Sequence, residues 1–122
     1  MGKLPLAYHG RVTDVFAAIG DPTRRAILDE LAERDGQTLF EICARLANRH
    51  GIASSRQAIS QHLDLLADAG FVRAERSGRY KFHHVDFGPL RAIVERWPVP
   101  KITAENRAEA AEKAQEPAES DD

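Results

Sequence analysis

Between Thr38 and Val85 the chain sets two amphipathic helical patterns and two β-type runs in immediate succession. Thr38-Leu39-Phe40-Glu41 has the spacing of a capping box, with Thr38 as cap and Glu41 reaching back. The helix it opens carries Leu39, Ile42, Cys43 and Leu46 on one face. It ends around His50-Gly51, where glycine tolerates the left-handed backbone of a helix terminus. Ser54 or Ser55 caps the next helix, and Ser54-x-x-Gln57 is a second possible capping box. Ile59, Leu63 and Leu66 recur there at i, i+4 and i+7, the stripe of a helix that faces a core, and Gly70 closes it. Phe71–Glu75 and Tyr80–Val85 then read as strands joined by Ser77-Gly78, a hairpin-turn signal.

The flanks add two more helical patterns and a terminal extension. Val12, Val15, Phe16 and Ile19 have helical spacing up to Gly20. Asp21-Pro22 starts a second helix: the Asp accepts orphan amide hydrogens and Pro fits the first turn, where no donor is needed. Ala26, Ile27 and Leu31 form its stripe, and it stops near Asp35-Gly36. Pro89 starts a last helix with Leu90, Ile93, Val94 and Trp97 on one side, which Pro98 and Pro100 end. From Thr103 onward the chain is rich in Ala and Glu and has no large apolar residue, so a frayed or transient helix or a disordered tail is expected. Two helices joined by a short turn and followed by a hairpin make a winged helix-turn-helix. The expected fold is therefore mainly α with a small β-hairpin wing (α+β). Residues 1–11 are expected to form an N-terminal arm, 12–98 the winged helix-turn-helix domain, and 99–122 an acidic, disordered tail.

A length of 122 residues suits one small domain with a thin core, and a dimer interface would supply further apolar burial. No apolar run is long enough for a transmembrane helix, and the N-terminus lacks the apolar core of a signal peptide, so a soluble cytoplasmic protein is expected. The single cysteine, Cys43, excludes an internal disulfide and a multi-cysteine metal cage within one chain. The net charge of −2 conceals an uneven distribution. Residues 103–122 carry seven acidic and two basic groups, a net −5, and residues 1–102 a net +3. Residues 45–84 alone are +4 and hold four of the five histidines.

The cationic middle of the chain contains groups suited to reading base pairs. At 100° per residue, Ala58, Ile59, His62, Leu63 and Leu66 share one side of the Ser55–Leu66 helix. Gln57, Ser60, Gln61 and Asp64 fall on the opposite side, with Arg56 at its edge. Gln can pair with adenine N6 and N7, Ser can donate or accept, and Arg can take guanine or phosphate. The serines and free amides at the helix start, Ser54 and Ser55, suit a phosphate. Arg76, Arg79 and Lys81 flank the hairpin tip, where cations suit phosphate or minor-groove contact. The plain alternatives are a solvated polar helix face and a hairpin charged for solubility.

Asp21-Pro22-Thr23-Arg24-Arg25-Ala26-Ile27-Leu28 resembles the opening of ArsR-type transcriptional regulators. So does Ser55-Arg56-Gln57-Ala58-Ile59-Ser60-Gln61-His62-Leu63, followed by Leu66, Ala69-Gly70-Phe71-Val72 and Gly78-Arg79. The match covers about residues 12–97, and the pieces are specific in combination. The resemblance implies a winged-helix homodimer that represses transcription at an operator. It implies a dimer interface built from the first and last helices, here Val12, Val15, Phe16 and Ile19 with Leu90, Ile93, Val94 and Trp97. Many members sense metal through a Cys-x-Cys pair, but the corresponding positions here are Thr38 and Phe40, which offer no thiolate. The last helix holds Glu95 but none of the histidines of the family's second metal site. No metal and no cofactor are expected. His83 and His84 are adjacent in a strand and point to opposite faces, so they cannot chelate one ion together. The connection Ala47–Ala53 is longer than usual for the family, so the preceding helix is longer or the turn looser.

The expected function is thus a sequence-specific regulator, a repressor that binds double-stranded operator DNA as a homodimer, without membrane attachment and with its effector unknown. Gln57, Ser60 and Gln61 would read bases, and Ser54, Ser55, Arg56, Arg76, Arg79 and Lys81 would hold phosphate or the minor groove. Two other readings stay open. One is an effector-responsive sensor for a small molecule, an interface metal or an oxidant acting on Cys43. The other is a winged-helix module that binds protein and not DNA. An enzyme is the weakest reading, because no nucleophile elbow, phosphate-cradling loop or metal-ligand spacing is present.

Overall fold

The computed structural model describes residues 15–100 and 104–115. Residues 15–19 form helix α1, followed by α2 (Pro22–Glu33), α3 (Leu39–His50) and α4 (Arg56–Asp68). Strands β1 (Val72–Ser77) and β2 (Tyr80–Val85), a single 3-10 turn at Gly88–Leu90, and helices α5 (Arg91–Arg96) and α6 (Ala104–Gln115) complete the order. The expected arm, Val12 and the end of the tail lie outside the described residues. No helix among the described residues is long and apolar enough to cross a membrane.

The caps anticipated from the sequence form at three helices. Asp21 accepts the Arg24 amide at 3.0 Å and starts α2 with Pro22 in its first turn. Thr38 and Glu41 exchange both bonds of a capping box, at 3.2 and 2.9 Å. At the far end of α3, Gly51 takes φ +67°, a conformation costly for a residue with a Cβ. The long connection is absorbed by the helix, since α3 runs to His50 and leaves residues 51–55 as the turn. Ser55, not Ser54, caps α4 and accepts the Ala58 amide at 3.1 Å. The third helical residue is then Ala58, so the Ser54–Gln57 capping box does not exist.

One core holds these elements together. Ile27 and Leu31 of α2, Ile42 and Leu46 of α3, and Ile59, Leu63 and Leu66 of α4 are buried with Val15, Ala18 and Phe71. Phe71 precedes β1 and is fully buried, so the first strand starts and ends later than its sequence suggested. A phenylalanine removed from water in this way contributes about 1.5–3 kcal/mol. The strands pair antiparallel from Val72↔Val85 to Ser77↔Tyr80, so Gly78 and Arg79 form the tip and not Ser77-Gly78. Gly78 has φ +64°, which the tight turn requires.

Polar contacts fix the hairpin and the helix pair. Gln37 bridges to His83: the His83 amide donates to the Gln37 carbonyl at 2.8 Å, and the His83 Nδ1–H donates to the same oxygen at 2.9 Å. Asp35 accepts the Val85 amide at 2.7 Å and sits 2.8 Å from His84 Nδ1. His83 therefore points into the core and His84 away from it, as strand alternation demands. Between α2 and α3, the buried Glu30 carboxylate takes Arg45 at 2.5 Å, His50 at 2.7 Å and Arg49 at 3.1 Å. Burial by itself pushes this carboxyl up, but the bonds from Arg45 and His50 and the nearby Arg49 charge outweigh it and hold it below its usual value.

Residues 104–115 are helical where a frayed helix or disorder was expected. Ala, Glu, Arg, Lys and Gln are strong helix formers, and residues 104–114 are all exposed, so propensity and not core burial shapes the segment.

Candidate nucleic-acid interface

The polar face of α4 is left exposed by burial of its opposite side. With Ile59, Leu63 and Leu66 locked in the core, Arg56, Gln57, Gln61 and Asp64 are left exposed and Ser60 half-buried. Ser54 and Ser55 are exposed at the N-terminal end, where the first amides of a helix favour an anion. His62 is turned to the other flank, with its Nδ1 3.0 Å from Arg24 Nη1.

The hairpin places its cations beside that face. Strand alternation puts Val72, Ala74 and Arg76 on one face of β1, opposite Val85, His83 and Lys81. Val72 and His83 are buried, so the inner face of the wing continues outward as Arg76 and Lys81. Among the described residues no salt bridge or hydrogen bond engages Arg76, Arg79 or Lys81, whereas Arg73 lies 3.7 Å from Glu75. Lys81 and Ser60 line one cleft of about 250 Å³ with Phe40, Leu63 and His83. The wing and α4 thus share a cleft lined by a cation and a hydroxyl.

Two side chains at this surface escaped the sequence reading. Phe40 is 67% exposed near the start of α3, and Tyr80 is 58% exposed at the wing tip, 6.2 Å from Phe82 between ring centroids. Their exposure runs against their hydrophobicity. The alternation of β2 could have flagged Tyr80, whose cross-strand partner is the polar Ser77.

The residues assigned to a dimer stripe divide into three groups. Val15 is 1% exposed and already belongs to its own chain's core, a departure from the expected interface position. Phe16, Ile19 and Ile93 are half-buried, with the Phe16 ring edge-on to Trp97 at 5.8 Å. Leu90, Val94 and Trp97 are exposed, as are Phe87 and Val99 beyond the expected set. Cys43 is half-buried against the core, and burial raises its thiol pKa more than the Arg56 charge lowers it. Thr38 is engaged in its capping box. No group of three or more His, Cys, Asp or Glu among the described residues could hold a metal ion.

Comparison with known proteins agrees with this geometry. A helix-turn-helix domain family model matches residues 19–75. The HTH-type transcriptional regulator YuzN of Bacillus subtilis is 42% identical over 89 residues, covering 73% of this chain and 97% of that protein. The transcriptional repressor SdpR of the same organism is 36% identical over 75 residues, covering 62% of this chain and 76% of that one. The solved structure of an ArsR-like transcriptional regulator from Rhodococcus sp. RHA1 is 30% identical, with a TM-score of 0.54 and coverage of 88% and 95%. The fold and its polar helix face define a winged helix-turn-helix, DNA-binding transcriptional regulator. The chain belongs to the ArsR-type family of HTH-type transcriptional regulators.

Proposed function

We propose that this chain is a repressor that binds a two-fold-symmetric operator as a homodimer. Its α4 helices enter successive major grooves about 34–36 Å apart. Gln57, Ser60 and Gln61 read base edges, while Ser54, Ser55, Arg56, Arg76, Arg79 and Lys81 hold the sugar-phosphate strands. Residues 12–98 form the working unit, with 1–11 and 99–122 outside it, and the protein acts by binding in the cytoplasm, not by catalysis. The repressor role is supported by the likeness to SdpR, named as a transcriptional repressor. The exposure of the large apolar side chains Leu90, Val94 and Trp97 supports the dimer, because such groups gain by burial against a partner.

The observation that carries this reading is the pair Arg76 and Lys81, facing one another beside an exposed Gln/Ser helix face with no counter-charge of their own. Together the polar α4 face and the cationic hairpin argue against a module that binds only protein. An oxidant sensor is disfavoured as well, since burial keeps Cys43 as the less reactive thiol. Selection of duplexes from a random pool by the purified protein tests the proposal. Enrichment of an inverted repeat supports it, and recovery of no common sequence at low salt rejects it.

A further inference from the structure

We infer that Arg24 is a positioning residue for DNA reading, because it fastens the end of α1 to α4 through His62. The inference rests on α4 being the helix that meets base edges. Every nitrogen of the Arg24 guanidinium is engaged. Nε donates to the Ala18 carbonyl at 3.0 Å and Nη2 to the Ala17 carbonyl at 2.9 Å. Nη1 lies 3.0 Å from His62 Nδ1. A guanidinium only donates, so Nδ1 accepts and the ring N–H of His62 sits on Nε2. The neighbouring Arg25 donates to the Ile19 carbonyl at 2.8 Å. Two successive arginines therefore close the last turn of α1, adding to the one backbone bond there, from the Gly20 amide to the Ala17 carbonyl at 3.2 Å.

The consequence for α4 is one of angle. Ile59, Leu63 and Leu66 set how deeply the helix is buried, but apolar contact is non-directional. Rotation of α4 about its own axis is what aims Gln57 and Gln61. His62 lies between the exposed Gln61 and the buried Leu63, on the flank facing α2. A directional bond there opposes that rotation. Asp21 fixes the position of Arg24 itself, because its Oδ2 takes the Arg24 amide at 3.0 Å at the start of α2. The same α1 carries Phe16, whose ring meets Trp97 on the apolar surface. The Arg24–His62 contact is thus the polar step in a path from that surface to the reading helix.

Affinities for a duplex selected from a random pool and for a scrambled duplex of equal length test the role. Wild type, Arg24→Gln, His62→Leu, the double variant and His62→Asn are compared at a temperature where each is folded. The selected-to-scrambled ratio is expected to fall by about tenfold in either Arg24→Gln or His62→Leu, the size of one lost base contact. The double variant is expected to lose no more than one single variant. His62→Asn, whose Oδ1 accepts in place of Nδ1, is expected to recover most of the loss. An unchanged ratio with only a lower thermal midpoint would show that Arg24 merely closes α1, and additive losses would show two independent roles; either overturns the inference. If Arg24→Gln fails to fold, the two His62 variants decide alone. A wild type that binds both duplexes equally defeats the assignment of α4 itself, a result distinct from failure of the Arg24 contact in a selective protein.

Discussion

Arg76 and Lys81 stand opposite each other across the hairpin, on the face that Val72 and His83 turn into the core. Like charges in this position destabilise a strand pair by roughly 0.2–1 kcal/mol. A phosphate lodged between them would reverse the sign. Arg76→Gln is therefore expected to leave the free protein as stable or slightly more so. It is also expected to weaken binding to all duplexes alike and to make the salt dependence of log K shallower by about 1. Anisotropy titrations over a salt series, with a thermal melt of the free protein, check both halves. A variant that changes sequence preference but not salt slope would move Arg76 from phosphate to base contact.

Gln61 is exposed on the polar face of α4 and is itself uncharged. Gln61→Ala is expected to reduce discrimination at one base pair per half-site by about 1–3 kcal/mol, while the salt slope stays as in wild type. Competition with single-base operator variants measures this. Equal losses against every variant, scrambled duplex included, would mean that Gln61 supplies no sequence information.

The elements of this fold are written locally, and that is why they were legible. Asp21-Pro22, Thr38-x-x-Glu41 and the i, i+4, i+7 stripe of α4 each act within a few residues, and each forms as anticipated. Boundaries set by long-range packing were less visible. Phe71 looks like a strand residue, but the core takes it before β1 begins. Val15 has the spacing of an interface residue, yet α1 turns it inward. Glu30 looks like any polar position of a helix because its partners Arg45, Arg49 and His50 lie on the next helix. Arg24 and His62 were each part of a motif, but nothing in their spacing joins residues 38 positions apart.

Stability is expected to fall in two stages as pH is lowered. Burial holds His83 below the usual imidazole pKa, outweighing the bond to Gln37. The unfolded chain therefore takes up this proton first, and stability fully present above about pH 6.5 declines below it. For Asp21, Glu30 and Asp35, burial raises the carboxyl pKa, but hydrogen bonds and nearby cations lower it further, with net depression. Their contribution is present above the ordinary carboxyl range of about 4 and is lost as pH falls through the depressed values. Thermal midpoints between pH 7.5 and 3, taken at roughly constant ionic strength, test the two stages. His83→Asn should remove the upper stage and spare the lower one. A midpoint that stays flat through the upper range in wild type would mean that His83 does not remain neutral in the fold.

Val94 offers the cleanest test of assembly, because it is 46% exposed on α5 and is not part of the core cluster. A charge there should cost the single chain little, since surface changes of this kind usually stay within about 0.5 kcal/mol. Across a two-fold axis the same charge would meet its own copy in an apolar setting, where desolvation costs far more. Val94→Glu is therefore expected to give a folded monomer by sedimentation. Its affinity for an operator with two half-sites should fall by on the order of 10²–10⁴, because joint occupation of both half-sites is what the pairing of subunits provides. Affinity for a single half-site should be nearly unchanged. A Val94→Glu protein that still sediments as a dimer would place the subunit contact elsewhere and leave the exposed Leu90, Val94 and Trp97 surface to another partner.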